Sequence, residues 1–135
     1  MKLQITFPGN KKVAASFDGF TVTTDQPKDN EGDGSAPAPF DLFLASIGTC
    51  AGYFVKSFCE ERKIEIEGLT LTEEAVWDEE THKLKSINLM IHLPQGFPDK
   101  YKNAVISAAN LCSVKKTLLN PPEFTIKAET QAQRT

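Results

Sequence analysis

Arginine is scarce in this sequence. Of fifteen basic residues only Arg62 and Arg134 are arginines, so a flat, bidentate cation can come from just two positions. Acidic residues outnumber basic ones, eighteen to fifteen, for a net charge of -3. That balance excludes the basic face that gripping a nucleic acid requires. Histidine occurs only at His82 and His92, and neither recurs at metal-ligand spacing, so no metal site is expected. No glycine-rich phosphate loop of a standard kind is present. No apolar run reaches the ~20 residues of a membrane span. Residues 42–55 come nearest, bracketed by Asp41 and Lys56, and read as a core helix. The N-terminus has one early lysine and no apolar segment of signal-peptide length. Three cysteines are too few, and the wrong parity, for a disulfide-stapled scaffold. These absences predict a cytoplasmic protein with no membrane contact and no nucleic-acid partner. Its cysteines, if they act, act as thiols.

What is present is a globular composition, 40% hydrophobic and 24% charged over 135 residues. That length suits one domain, residues 1–135. Leu3, Ile5 and Phe7 alternate with their neighbours, as do Val13, Ala15 and Phe17, then Phe20, Val22 and Thr24. Turns at Pro8-Gly9-Asn10 and Asp18-Gly19 join them into a three-stranded antiparallel meander. Residues 25–39 lose any packing period and read as a functional or a disordered loop.

From residue 40 to 63 the period becomes helical. Phe43, Ile47, Cys50, Phe54 and Phe58 form one stripe, and the opposite face is also apolar or small. A helix apolar all round must be buried all round. Gly48 and Gly52 each cost about 1 kcal/mol of helix propensity against alanine, which implies something packed very close there. Two strands follow, residues 69–77 and 84–93, the first with Ile64 and Ile66 at its start. Pro98 opens a second helix with Tyr101, Val105, Ala108 and Cys112 inward, and Ser113 caps a short third one. Pro121-Pro122 ends it, and Phe124, Ile126 and Ala128 make a final strand. The order β-β-β-α-β-β-α-β is an α+β fold. One chain this short is hard pressed to cover such a helix. An intimate homodimer is expected, the alternative being a monomer whose two sheets wrap it.

Each cysteine alone is most simply a packing residue. Cys112 lies at a helix junction near Lys115 and Lys116, surroundings that lower a thiol pKa. Cys50 is mid-helix in apolar surroundings, which raise it, and would need a cation from elsewhere. Cys59, nine residues on, faces nearly the opposite way.

The segment Pro39-Phe40-Asp41-Leu42-Phe43-Leu44-Ala45-Ser46-Ile47-Gly48-Thr49-Cys50 resembles the central-helix motif of the OsmC/Ohr family, the osmotically inducible and organic hydroperoxide resistance proteins. Leu111-Cys112-Ser113-Val114-Lys115-Lys116-Thr117-Leu118 resembles its second-cysteine motif. The order of elements agrees along nearly the whole chain. The resemblance implies an OsmC-like fold, an intertwined homodimer with a long buried central helix. It implies a reactive thiol at Cys50, a resolving thiol at Cys112, and reduction of organic hydroperoxides through a sulfenic acid and a disulfide. An external dithiol would reset the pair, with no cofactor. Cys59 matches no family position.

Two departures from the family pattern stand out. Its well-characterised peroxidases carry an arginine in the loop after the early strands. Here that loop offers only Lys28, with Lys11 and Lys12 at the first hairpin. They carry a glutamate after the proline, where this chain has Phe40, then Asp41. Asp41 either stands in or favours the helix N-terminus. The departures place the chain nearer the YhfA-like branches. Phe40, Phe43, Tyr53 and Phe54 would suit an apolar substrate, and would equally serve packing. Two other readings stay open: an apolar-ligand-binding dimer, and a thiol protein of sulfur relay or electrophile detoxification.

Overall fold

The computed structural model describes residues 1–132; Arg134 lies outside them. Strands β1 (Gln4–Gly9), β2 (Lys12–Phe17) and β3 (Phe20–Thr24) form an antiparallel meander in that order. Asp18 and Gly19, at φ 46° and 81°, make the left-handed turn that brings Phe17 opposite Phe20. Residues 25–38 are an ordered loop, and Asp25 orders it. Its buried carboxylate accepts hydrogen bonds from Gln26 N–H at 2.8 Å, Ser35 N–H at 3.0 Å and the Ser35 hydroxyl at 2.6 Å. These bonds hold the Asp25 carboxyl down at about 2. Asp33 accepts from Lys12 at 2.9 Å and Asn10 at 3.1 Å, tying the loop to the first hairpin.

Helix α1 (Pro39–Glu61) follows, with Pro39 at its first position, where a missing N–H costs nothing. Strands β4 (Thr70–Trp77) and β5 (Leu84–His92) form a two-stranded antiparallel sheet. A 3-10 turn after Pro98 leads into α2 (Lys102–Ala109), and α3 (Ser113–Leu119) follows directly. The core lies where the C-terminal half of α1 meets α2 and the β4–β5 sheet. Val55, Phe58, Cys59, Phe97, Val105 and Ala108 form its centre, with Leu71, Ile91 and Leu93 packed against it.

Four expectations need correction. Helix α1 is not buried all round within the chain. Ile47, Ala51, Val55, Phe58 and Cys59 are buried, whereas Phe40 and Tyr53 are exposed, because the chain supplies cover on one side only. By length and composition alone α1 could also cross a membrane; its inner stripe packs on α2 and the sheet instead. Ile64 and Ile66 do not begin β4: they lie in a turn in which Leu69 N–H reaches Ile66 carbonyl at 2.9 Å. The cap of α3 is Cys112, whose sulfur accepts from Lys115 N–H, and Ser113 is the first helical residue. Residues 124–128 form no strand: they pair with neither sheet, and Phe124 and Ile126 stand exposed rather than packed. The observed order is therefore β-β-β-α-β-β-α-α.

Candidate active site

Helix α1 and the α2–α3 junction bring Cys50 and Cys112 together. Cys112 is buried and Cys50 half-buried. The Cys112 sulfur accepts the Lys115 amide at 3.4 Å. Its thiol donates toward the Ile47 carbonyl, 3.8 Å from sulfur to oxygen, and lies near enough to the Cys50 sulfur for each thiol to shift the other. Cys50 Sγ also meets the Ser113 hydroxyl at 3.7 Å, and the nearby Val114 amide favours its charged form.

These surroundings split the two thiols. The Val114 amide, with help from Cys112 and Ser113, outweighs burial and draws Cys50 down to about 7. Burial pushes Cys112 up, so it keeps its proton. The assignment is the reverse of what local sequence favours. The start of α3 solvates the sulfur of Cys50, across the fold, rather than that of Cys112. No lysine or arginine of the described residues contributes to the shift of Cys50. The cation its position in the sequence called for is replaced by neutral donors.

The other candidates lie as follows. Asp41 accepts the Ala38 amide at 3.0 Å, the reach-back half of a helix cap. Lys28 is exposed in a 3-10 turn of the loop, its stem over Gly34. Phe40 packs on Phe43 at 5.1 Å between centroids and on Trp77 at 6.4 Å. Tyr53 and Phe54 meet edge to face at 5.2 Å. None of these four groups of contacts includes a cysteine. Cys59 is fully buried in the core, which raises its pKa. His92 pairs with Thr72 at 2.8 Å, and both histidines are exposed.

Two acidic residues carry more than their sequence surroundings announce. Asp25 looks like one polar residue among many in the loop, and no local signal marks it as buried. Glu73, expected as a solvated strand end, points inward from the middle of β4. Its carboxyl lies against Gly48 so closely that a Cβ there would stand 2.3 Å from Oε2. Oε1 is buried and has no hydrogen-bond partner among the described residues, and burial raises its pKa. Gly48 is thus one glycine at which the expected close packing is found. Gly52 meets nothing within 4 Å.

A cavity of about 550 Å³ opens between β5 and helices α2 and α3. Ile47, Leu89, Ile91, Val105 and Leu118 make it apolar, Cys112 stands in its wall, and Lys102 and Lys115 border it. Its size and lining fit an apolar small molecule.

By fold this is an α+β chain that brings two of its thiols, Cys50 and Cys112, to one place. The chain belongs to the OsmC-like family: the family model describing OsmC-like proteins matches residues 32–127. A comparison with curated protein sequences finds no match. Among solved structures, it is similar to a Psychrobacter arcticus protein described provisionally as an osmotic stress induced and detoxification response protein. That likeness has a TM-score of 0.73 and 24% identity over 87% of each chain. It is similar to an OsmC-like protein from Mycoplasma pneumoniae, with a TM-score of 0.69 and 17% identity over 89% of this chain and 87% of that one. It is also similar to an organic hydroperoxide resistance protein, OsmC, from Legionella pneumophila, with a TM-score of 0.58 and 20% identity over 87% of each. These likenesses extend the shared fold to the early strands that lie outside the family match.

Proposed function

We propose that this protein reduces organic hydroperoxides, with Cys50 as nucleophile and Cys112 as resolving thiol. One observation carries the reading: the fold sets a thiol drawn down to about 7 beside a second thiol that keeps its proton, the α2–α3 junction meeting α1 through Cys50–Ser113 and Cys112–Ile47 contacts. At neutral pH such a pair offers a nucleophile and its successor at once. The Cys50 thiolate attacks the distal peroxide oxygen. The S–O bond forms as O–O breaks, sulfur is oxidised to the sulfenic level, and the alkoxide leaves and takes a proton from solvent. Cys112 then attacks the Cys50 sulfur, its proton leaves with the hydroxyl as water, and the disulfide closes. An external dithiol returns both sulfurs to thiols. The chain supplies this chemistry from its own residues, as one domain in the reducing cytoplasm, and Asp41, Lys28, Phe40 and Phe43 stand outside the sulfur chemistry.

The working unit in this reading is a homodimer. Only 28% of the most apolar window of α1 is buried within the chain. Phe124 and Ile126 are 86% and 96% exposed. Apolar surface of that extent calls for a second copy.

The test is consumption of a bulky alkyl hydroperoxide in the presence of a dithiol. Wild-type protein turns over and Cys50→Ser does not; equal turnover by Cys50→Ser would sink the assignment. The cavity beside Cys112 favours a second reading, a binder of apolar small molecules. A slow, ordinary alkylation rate at Cys50, with saturable uptake of an apolar fluorophore, would select it.

A further inference from the structure

We propose that Ser113 is a third catalytic residue: its hydroxyl donates a hydrogen bond to the Cys50 sulfur and follows the charge onto the sulfenate oxygen. The proposal rests on Cys50 being the nucleophile, as in the reading above. Ser113 comes from 63 residues further along the chain, yet its Oγ stands 3.7 Å from Cys50 Sγ. Its hydroxyl has no other hydrogen-bond partner among the described residues, so this contact is not incidental to a helix cap or a turn.

The backbone around Ser113 is held in place. Its carbonyl accepts the Thr117 hydroxyl at 2.8 Å. The preceding carbonyl, of Cys112, accepts the Lys116 amide at 3.1 Å. The segment that carries the resolving thiol therefore also carries the donor, and one rigid turn sets both distances. A serine hydroxyl rotates freely about its C–O bond. It can accept from the neutral thiol, donate to the thiolate, and re-aim at an oxygen added to sulfur, with no backbone movement. Hydrogen bonds to an ionised acceptor are about twice as strong as those between neutral groups. The contact thus favours the charged form, in the direction in which Cys50 is shifted. It is also uncharged itself. A sulfur activated by neutral donors responds little to ionic strength, whereas one activated by a cation is screened by salt.

The experiment follows alkylation of Cys50 by iodoacetamide in the full chain, read as the Cys50 peptide by mass spectrometry, from pH 5.5 to 9.5. Ser113→Ala is expected to slow alkylation at pH 6.5 about tenfold, the lower end of what a hydrogen bond to a charged acceptor contributes. It should match wild type at pH 9.5, where the thiol is ionised regardless. Ser113→Gly should behave as Ser113→Ala, and Ser113→Thr should restore the wild-type profile. The wild-type rate should be nearly unchanged between low and high salt. A Ser113→Ala profile superimposed on wild type would overturn the proposal, as would a rate set by salt rather than by the hydroxyl. Peroxide turnover, measured alongside, separates the two readings. A shifted alkylation profile without turnover keeps Ser113 and discards the reductase. Turnover with an unshifted profile discards Ser113 alone.

Discussion

The two cysteines proposed as the reactive pair differ in what their sulfurs touch. Cys50 faces amide and hydroxyl donors; Cys112 faces the core. The pair was legible as two family motifs, but the division of labour was not legible from local chemistry. Lys115 and Lys116 follow Cys112 in the chain, yet Lys115 turns its ammonium to Asn110. The donors that matter reach Cys50 only after the chain reverses. Glu73 was hidden for a related reason. As Glu73-Glu74 it reads as a solvated pair, but strand alternation sends one of two neighbours inward. Its buried, unpartnered carboxyl has a pKa raised in the folded state. The folded protein therefore binds that proton more tightly than the unfolded chain does. Stability falls as pH rises from the ordinary glutamate value through the raised one. Glu73→Gln should accordingly be more stable than wild type by about 1 kcal/mol near pH 8, the scale of an unsatisfied buried polar group. The gain should vanish near pH 4. Denaturant titrations at both pH values check this, and an equal difference at both would remove Glu73 as its source.

Elements were the most legible scale. The change of hydrophobic period from two to 3.6 marks the passage from the meander to α1, and Asp18-Gly19 marks its hairpin. What the period missed was pairing. Ile64 and Ile66 have the composition of a strand but turn back instead. Phe124, Ile126 and Ala128 keep the alternation but pair with neither sheet of their own chain. The close approach implied by Gly48 proved to be α1 on β4, through the Glu73 carboxyl. That contact predicts coupling. Gly48→Ala brings about 1 kcal/mol of helix propensity but displaces the carboxyl. With Glu73→Ala in place, the same substitution should be more favourable by at least about 0.5 kcal/mol, the coupling of residues in contact. A double-mutant cycle by chemical denaturation measures it, and additive effects would show that the two residues do not constrain each other.

At the scale of the whole molecule, the fold was legible to the extent that one chain completes it. The sheet and helices were readable; the cover for the outer face of α1 was not, because none of the described residues covers it. Two copies would supply it. Phe124→Asp with Ile126→Asp should then shift sedimentation from dimer toward monomer while wild type stays dimeric at micromolar concentration. A wild-type monomer would contradict the dimer. The sulfur cycle is the central claim, and the most direct measurement of it is a single turnover. Reduced protein is mixed with one equivalent of a bulky organic hydroperoxide, quenched with an alkylating agent, digested and mapped by mass. The account predicts one new crosslink, Cys50 to Cys112, formed as the alcohol appears, with Cys59 still a free thiol. Oxidation that leaves Cys50 reduced, or that accumulates on Cys59 or Cys112 alone, would contradict it.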